Sequence, residues 1–97
     1  MEIKKTTDGQ KVTVTVTGRV DTTTAPEFEE GLKFAGTETL TLDLSGVPYM
    51  SSAGLRCLLT AQKLMMAGGG SMTITGVQPT VMEVLELTGF SSILTIA

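Results

Sequence analysis

Residues 42–59 read LDLSGVPYMSSAGLRCLL, and their pattern changes twice. Leu42 and Leu44 flank Asp43 in the alternation of a half-buried strand. A loop, residues 45–50, follows. Leu55 and Leu58 then recur at helical spacing. The stretch is a strand–loop–helix unit whose helix starts near Ser51 or Ser52, with either serine able to cap it. The first turn of a helix carries unpaired N–H groups and about half a positive charge, a ready place for an anion. Gly54 in that turn costs about 1 kcal/mol relative to Ala. Its lack of a Cβ suits either close packing inside the fold or close approach of another backbone or an enzyme.

Working outward, the same strand signal recurs. Val12, Val14 and Val16 alternate with Thr13, Thr15 and Thr17; Leu40, Leu42 and Leu44 with Thr39, Thr41 and Asp43; Met72 and Ile74 with Thr73 and Thr75. One apolar and one polar face per strand predicts a sheet covered by helices mainly on one side. Residues 2–5 read as a further edge strand, turned into the next at Asp8-Gly9. Thr24-Ala25-Pro26-Glu27 has the form of a capping box. It predicts a helix with Ala25, Phe28, Leu32 and Ala35 inward, Glu29 and Lys33 paired outside, and Gly36 as its stop. The central helix runs to about Ala67 and ends at Gly68-Gly69-Gly70. A third starts near Pro79, points Val81, Val84, Leu85 and Thr88 inward and stops at Gly89. Residues 93–96 form a short last strand or a fraying tail. The fold class is α/β: a single domain over residues 1–97, with a mixed sheet of about four to five strands whose crossovers are right-handed.

Composition narrows the function. The 97 residues hold seven Lys+Arg against ten Asp+Glu, a formal net charge of -3, no His, no Trp and one Cys. A chain without His has no Ser-His-Asp or Cys-His system and no histidine metal ligand. Cys57 alone makes no internal disulfide and no thiolate zinc site. The acidic balance argues against direct nucleic-acid binding. No run is long and apolar enough for membrane insertion, and residues 1–12 lack the apolar core of a signal peptide. These features predict a cytoplasmic, non-enzymatic domain with no cofactor.

The segment DLSGVPYMSSAGL is similar to the signature of STAS domains, specifically of bacterial anti-sigma factor antagonists. Gly18-Arg19-Val20-Asp21 followed by Thr22-Thr23-Thr24-Ala25 resembles the family's first strand–helix junction. The glycines 68–70, Gly76-Val77 and Thr88-Gly89-Phe90 resemble its later half. The resemblance covers nearly the whole chain and implies a STAS-like fold. It also implies a phosphoacceptor at Ser52 and two partners: an anti-sigma factor serine kinase and a serine phosphatase. The unphosphorylated form would bind the kinase, and phosphorylation would release it. The best-known members have Asp before the acceptor and Ser after it. Here Ser51 and Ala53 stand there, which makes Ser51 a rival acceptor. The docking face would comprise Asp21, Thr22, Thr24, Met50, Ser51, Gly54, Leu55 and Arg56, with Met50 and Leu55 as apolar contacts and Asp21 as a polar one.

Other readings compete. STAS domains also serve as non-phosphorylated adaptor subunits of membrane transporters or sensory assemblies. A serine hydrolase on Ser51 or Ser52 lacks both the first Gly of a nucleophile elbow and a His base. Gly68-Gly69-Gly70-Ser71 lacks the Lys and the strand-before-helix order of a phosphate loop. Cys57 and the methionines read as core-filling side chains, and Arg19 as solvated surface charge.

Overall fold

The computed structural model describes residues 1–33 and 39–97. Strand β1 (Glu2–Asp8) turns at Gly9, whose φ of 62° is the left-handed value such a turn needs, into β2 (Lys11–Thr17). The two pair antiparallel from Glu2 opposite Thr17 to Asp8 opposite Lys11. Helix α1 (Ala25–Gly31), strand β3 (Thr39–Gly46), helix α2 (Ser52–Ala67), strand β4 (Ser71–Thr75) and helix α3 (Pro79–Leu87) follow, then a 3-10 turn at Phe90–Ser92. The sheet order is β1-β2-β3-β4, with β2–β3 and β3–β4 parallel. It is therefore mixed and four-stranded, within the expected range. Residues 93–96 add one bridge, Ile74 to Ile96, and no strand.

The alternation read from the sequence is the alternation of burial. Val14, Val16, Leu40, Leu42, Leu44 and Ile74 are fully covered, while their threonine neighbours are exposed or half-buried. From the other side the core receives Phe28 and Leu32, then Leu58, Ala61 and Met65 of α2, and Val81 and Leu85 of α3. All three helices thus lie on one face of the sheet. The radius of gyration, 12.1 Å, is close to the roughly 13 Å usual for a domain of this length.

Several local expectations are corrected. Thr24 makes no side-chain cap bond to α1. Its hydroxyl instead accepts from the Asp21 N–H (2.9 Å) and donates to the Arg19 carbonyl (2.9 Å), so it serves the preceding turn. Lys33 pairs with Glu30 at 3.2 Å, not with Glu29. Thr88 is exposed, because its hydroxyl turns back to the Val84 carbonyl at 2.8 Å. Met66 is 66% exposed, unlike the core methionines 50, 65 and 72. The expectations for Ala35 and Gly36 fall outside the described residues.

The β2–β3 pairing slips by one residue between Thr15–Asp43 and Thr17–Gly46. The extra residue lies on β3, and a bulge of this kind bends and twists the strand that carries it. Gly46 is the residue that allows close approach to β2: a Cβ there would lie 2.5 Å from Thr17 Cγ2 and 3.2 Å from Thr17 Cα. The Gly18 N–H then donates to the Gly46 carbonyl at 2.9 Å, drawing the β2–α1 and β3–α2 loops together.

Candidate functional site

Two loops meet beyond the ends of β2 and β3. They are joined as a miniature parallel pair at Val20 and Met50. The Val20 N–H donates to the Tyr49 carbonyl (3.0 Å), and the Ser51 N–H donates to the Val20 carbonyl (2.8 Å). Both bridging side chains point inward, Val20 0% and Met50 3% exposed. Apolar burial and backbone hydrogen bonding therefore fix the same junction.

The Asp21 turn rests on that junction. Asp21 Oδ1 accepts the N–H groups of Thr23 and Thr24, both at 3.0 Å, and the Ala25 N–H donates to the Asp21 carbonyl at 2.8 Å. The carboxylate so held takes the Thr24 N–H that the capping-box reading gave to the Glu27 side chain. The Thr24 N–H bond is the chief reason that the Asp21 carboxyl lies below its ordinary pKa. The Thr23 N–H, the Thr24 hydroxyl and the charge of Arg19 act the same way, against partial desolvation.

On the other loop, α2 begins at Ser52 with Ser51 in the capping position. The Leu55 N–H donates to the Ser51 carbonyl at 3.0 Å, but the Ser51 side chain caps nothing. Its Oγ is buried without a hydrogen-bond partner. Ser52 is exposed. The two serines are thus adjacent in sequence, but the Ser51 hydroxyl oxygen is enclosed while Ser52 is exposed. Arg56, one turn further along α2, is exposed, as i,i+4 spacing from Ser52 places it on the same outer surface.

Three residues expected on the docking face lie beneath it. Met50 and Leu55 are each 3% exposed and cannot supply apolar contact to a partner in this conformation. Gly54 is buried, and a Cβ on it would lie 2.6 Å from Val20 Cγ1 and 2.7 Å from Met50 Cγ. Its smallness lets α2 sit against the Val20–Met50 junction. The accessible part of the expected face is Thr22, Ser52 and Arg56, with Asp21, Thr24 and Ser51 half-exposed. Beside it, an open groove of about 340 Å³ between α1 and α2 is lined by Thr22, Glu29, Ala53, Arg56, Cys57 and Thr60, among others. Cys57 is 7% exposed, with Sγ 3.6 Å from the Ala25 carbonyl, and burial raises its pKa.

Two neighbours escaped the sequence reading. Tyr49 is 42% exposed, and the Arg19 guanidinium lies over its ring at 4.3 Å from the centroid. A lone Tyr in the loop was the available signal, but its partner comes from another loop. Gln78 Nε2 donates to the Ser45 carbonyl (2.8 Å), and the Thr80 hydroxyl to the Pro48 carbonyl (2.9 Å). The start of α3 thereby braces the loop that carries Tyr49. Among the described residues there is no cluster of metal-ligating side chains, and no helix is long and apolar enough to cross a membrane.

Residues 2–97 match the STAS domain family. The chain belongs to this family. The anti-sigma-B factor antagonist of Listeria monocytogenes is 30% identical to this STAS domain, over 99% of the chain and 86% of the relative. A 39% identical match to BtrV of Bordetella bronchiseptica spans 64% of the STAS chain but only 53% of that protein's length. Among solved structures, an anti-sigma factor antagonist from Mycobacterium paratuberculosis superposes with a TM-score of 0.86 at 23% identity, covering 98% of this STAS domain and 83% of that chain. The phosphorylated form of SpoIIAA from Bacillus superposes with a TM-score of 0.75 at 16% identity, over 99% and 91% of the two chains.

Proposed function

We propose that this STAS domain is an anti-sigma factor antagonist that switches partners through Ser52. Unphosphorylated, it binds an anti-sigma factor serine kinase. Phosphorylated on Ser52, it lets go, and a serine phosphatase restores it. The observation that carries this reading is the contrast at the start of α2: Ser52 is open to an enzyme, whereas the rival Ser51 Oγ is buried.

The chemistry needs little from the rest of the fold. Ser52 is the first residue of α2, so a phosphate there lies beside the unpaired N–H groups and positive end of the helix. It adds roughly -1.5 to -2 charges without disturbing the core below. In the bare state Thr22, Ser52 and Arg56 provide a polar surface, and the Asp21 turn borders it. A phosphate trapped unpaired against a partner costs several kcal/mol, and each roughly 1.4 kcal/mol is tenfold in affinity. One modification is enough to end the complex. Met50, Gly54 and Leu55 act from beneath, fixing the height and angle of α2.

The test is incubation with ATP and an anti-sigma serine kinase from the same genome, read by intact mass. One added phosphate, absent from Ser52→Ala, is the expected result. No phosphate, together with stable capture by a transporter or sensory subunit, would favour an adaptor role.

A further inference from the structure

Helix α3 has two faces of unusual contrast. Val81 and Leu85 are buried at 1% and 0% exposure. The outer face repeats at helical spacing: Pro79, Met82 and Glu83, then Glu86 and Leu87. With Val77 these residues line an open groove of about 470 Å³. Leu87 is 80% exposed, the most exposed large apolar side chain among the described residues. Single exposed apolar side chains are ordinary, but several are gathered along this one groove. Here apolar side chains alternate with carboxylates, and the lining holds no cation.

We propose that this groove docks a basic amphipathic helix of a partner protein, apolar residues down and Lys or Arg at its margins. Charge complementarity selects that occupant. Glu83 and Glu86 take part in neither ion pair found among the described residues, Lys4–Glu2 and Lys33–Glu30. A second copy of this face would set carboxylate against carboxylate, which is destabilising. A helix with basic margins meets both carboxylates while its apolar stripe covers Leu87 and Met82, and the flexible thioether of Met82 adapts to it. The surface is held ready: Gln78 and Thr80 tie the start of α3 to the Ser45 and Pro48 carbonyls, and Thr88 closes its end on Val84. It does not include Ser52, so its occupancy need not follow the phosphorylation state.

The test uses two fluorescent helical peptides of identical apolar pattern, one with Lys and one with Glu at the polar positions. Binding to the whole chain is followed by polarisation and amide chemical shifts. Expected are shifts centred on α3 for the Lys peptide, and affinity for the Glu peptide at least about tenfold weaker. Leu87→Ser, and separately the double exchange Glu83→Gln/Glu86→Gln, should weaken Lys-peptide binding by about tenfold. Leu64→Ser, on the outer side of α2, should leave it unchanged. These exchanged side chains are exposed, so circular dichroism and Tm should match the parent. The proposal is overturned by no binding, by equal binding of both peptides, or by an unchanged affinity after Leu87→Ser. It is also overturned if light scattering finds a dimer that Leu87→Ser dissolves, since the face would then belong to a second copy.

Discussion

The Ser51 N–H donates to the Val20 carbonyl at 2.8 Å. This bond joins the serine pair to the junction between β2 and α1, thirty-one residues earlier in the chain. Turning the Ser51 backbone inward for that bond also places its side chain, and Oγ is sealed off without a partner. Ser52, the next residue, begins the helix and faces out. Backbone pairing, more than any property of the hydroxyls, separates a reachable serine from an unreachable one.

Exchanging each serine therefore gives different results. Ser52→Ala should abolish incorporation of phosphate by an anti-sigma serine kinase and leave binding to that kinase persistent. Ser52→Asp should bind it poorly. Ser51→Ala should be phosphorylated normally. It should also cost far less than the roughly 1 kcal/mol of a working N-cap, since no cap bond is lost. Intact mass and thermal melts of the three variants read these outcomes. Phosphate retained on Ser52→Ala and missing from Ser51→Ala would reverse the assignment.

Gly54 tests the packing under the site. Ala in its place would gain about 1 kcal/mol of helix propensity. Its methyl would press on Val20 Cγ1 and Met50 Cγ at 2.6 and 2.7 Å, and overpacking of this kind costs about 1–3 kcal/mol. With both side chains buried and one backbone pair holding them, the clash should win. Gly54→Ala is expected to lose a net of up to about 2 kcal/mol, and up to roughly 15 °C in Tm. An unchanged Tm would mean that the junction gives way more easily than its hydrogen bonds suggest.

The alternating strands and the three helices were readable because burial on one face imposes a period that sequence records directly. Val12 to Val16 and Leu40 to Leu44 carry that period without interruption. The site was readable only in part. Residues 50–55 were rightly placed at a loop–helix junction, but their division into buried Met50, Gly54 and Leu55 and exposed Ser52 depends on Val20, a long-range partner. Thr24 and Glu27 matched a capping box, yet Asp21 lies close enough to compete for the Thr24 N–H and takes it, while the Thr24 hydroxyl turns to the Asp21 N–H and the Arg19 carbonyl. Sequence spacing lists the candidates for a hydrogen bond; the geometry of the turn chooses among them.

Cys57 offers a probe of the α1–α2 seam. It lines the groove beside Arg56, yet it is 7% exposed, and burial raises the thiol pKa above its ordinary value. The nucleophile is the thiolate, so a raised pKa and restricted access both slow alkylation. Iodoacetamide should label the folded protein much more slowly at pH 7 than the urea-unfolded chain. Rapid labelling of the folded state would mean that the two helices part readily.

Asp21 supplies a pH signature. Its carboxyl lies below the usual value of 3.8, chiefly because the Thr24 N–H donates to it. A depressed native pKa makes the carboxylate stabilising above the unfolded pKa, and that contribution is lost as pH falls through the native value. Asp21→Asn should therefore melt below the parent near neutrality, with the deficit shrinking as pH is taken below about 3.8. Thermal melts of the two proteins between neutral and acid pH measure it. No deficit at any pH would mean that the oxygen, which Asn keeps, and not the charge holds Thr23 and Thr24. A deficit widening toward acid would contradict the turn geometry altogether, because a protonated carboxyl has less to offer two N–H donors than the carboxylate it replaces.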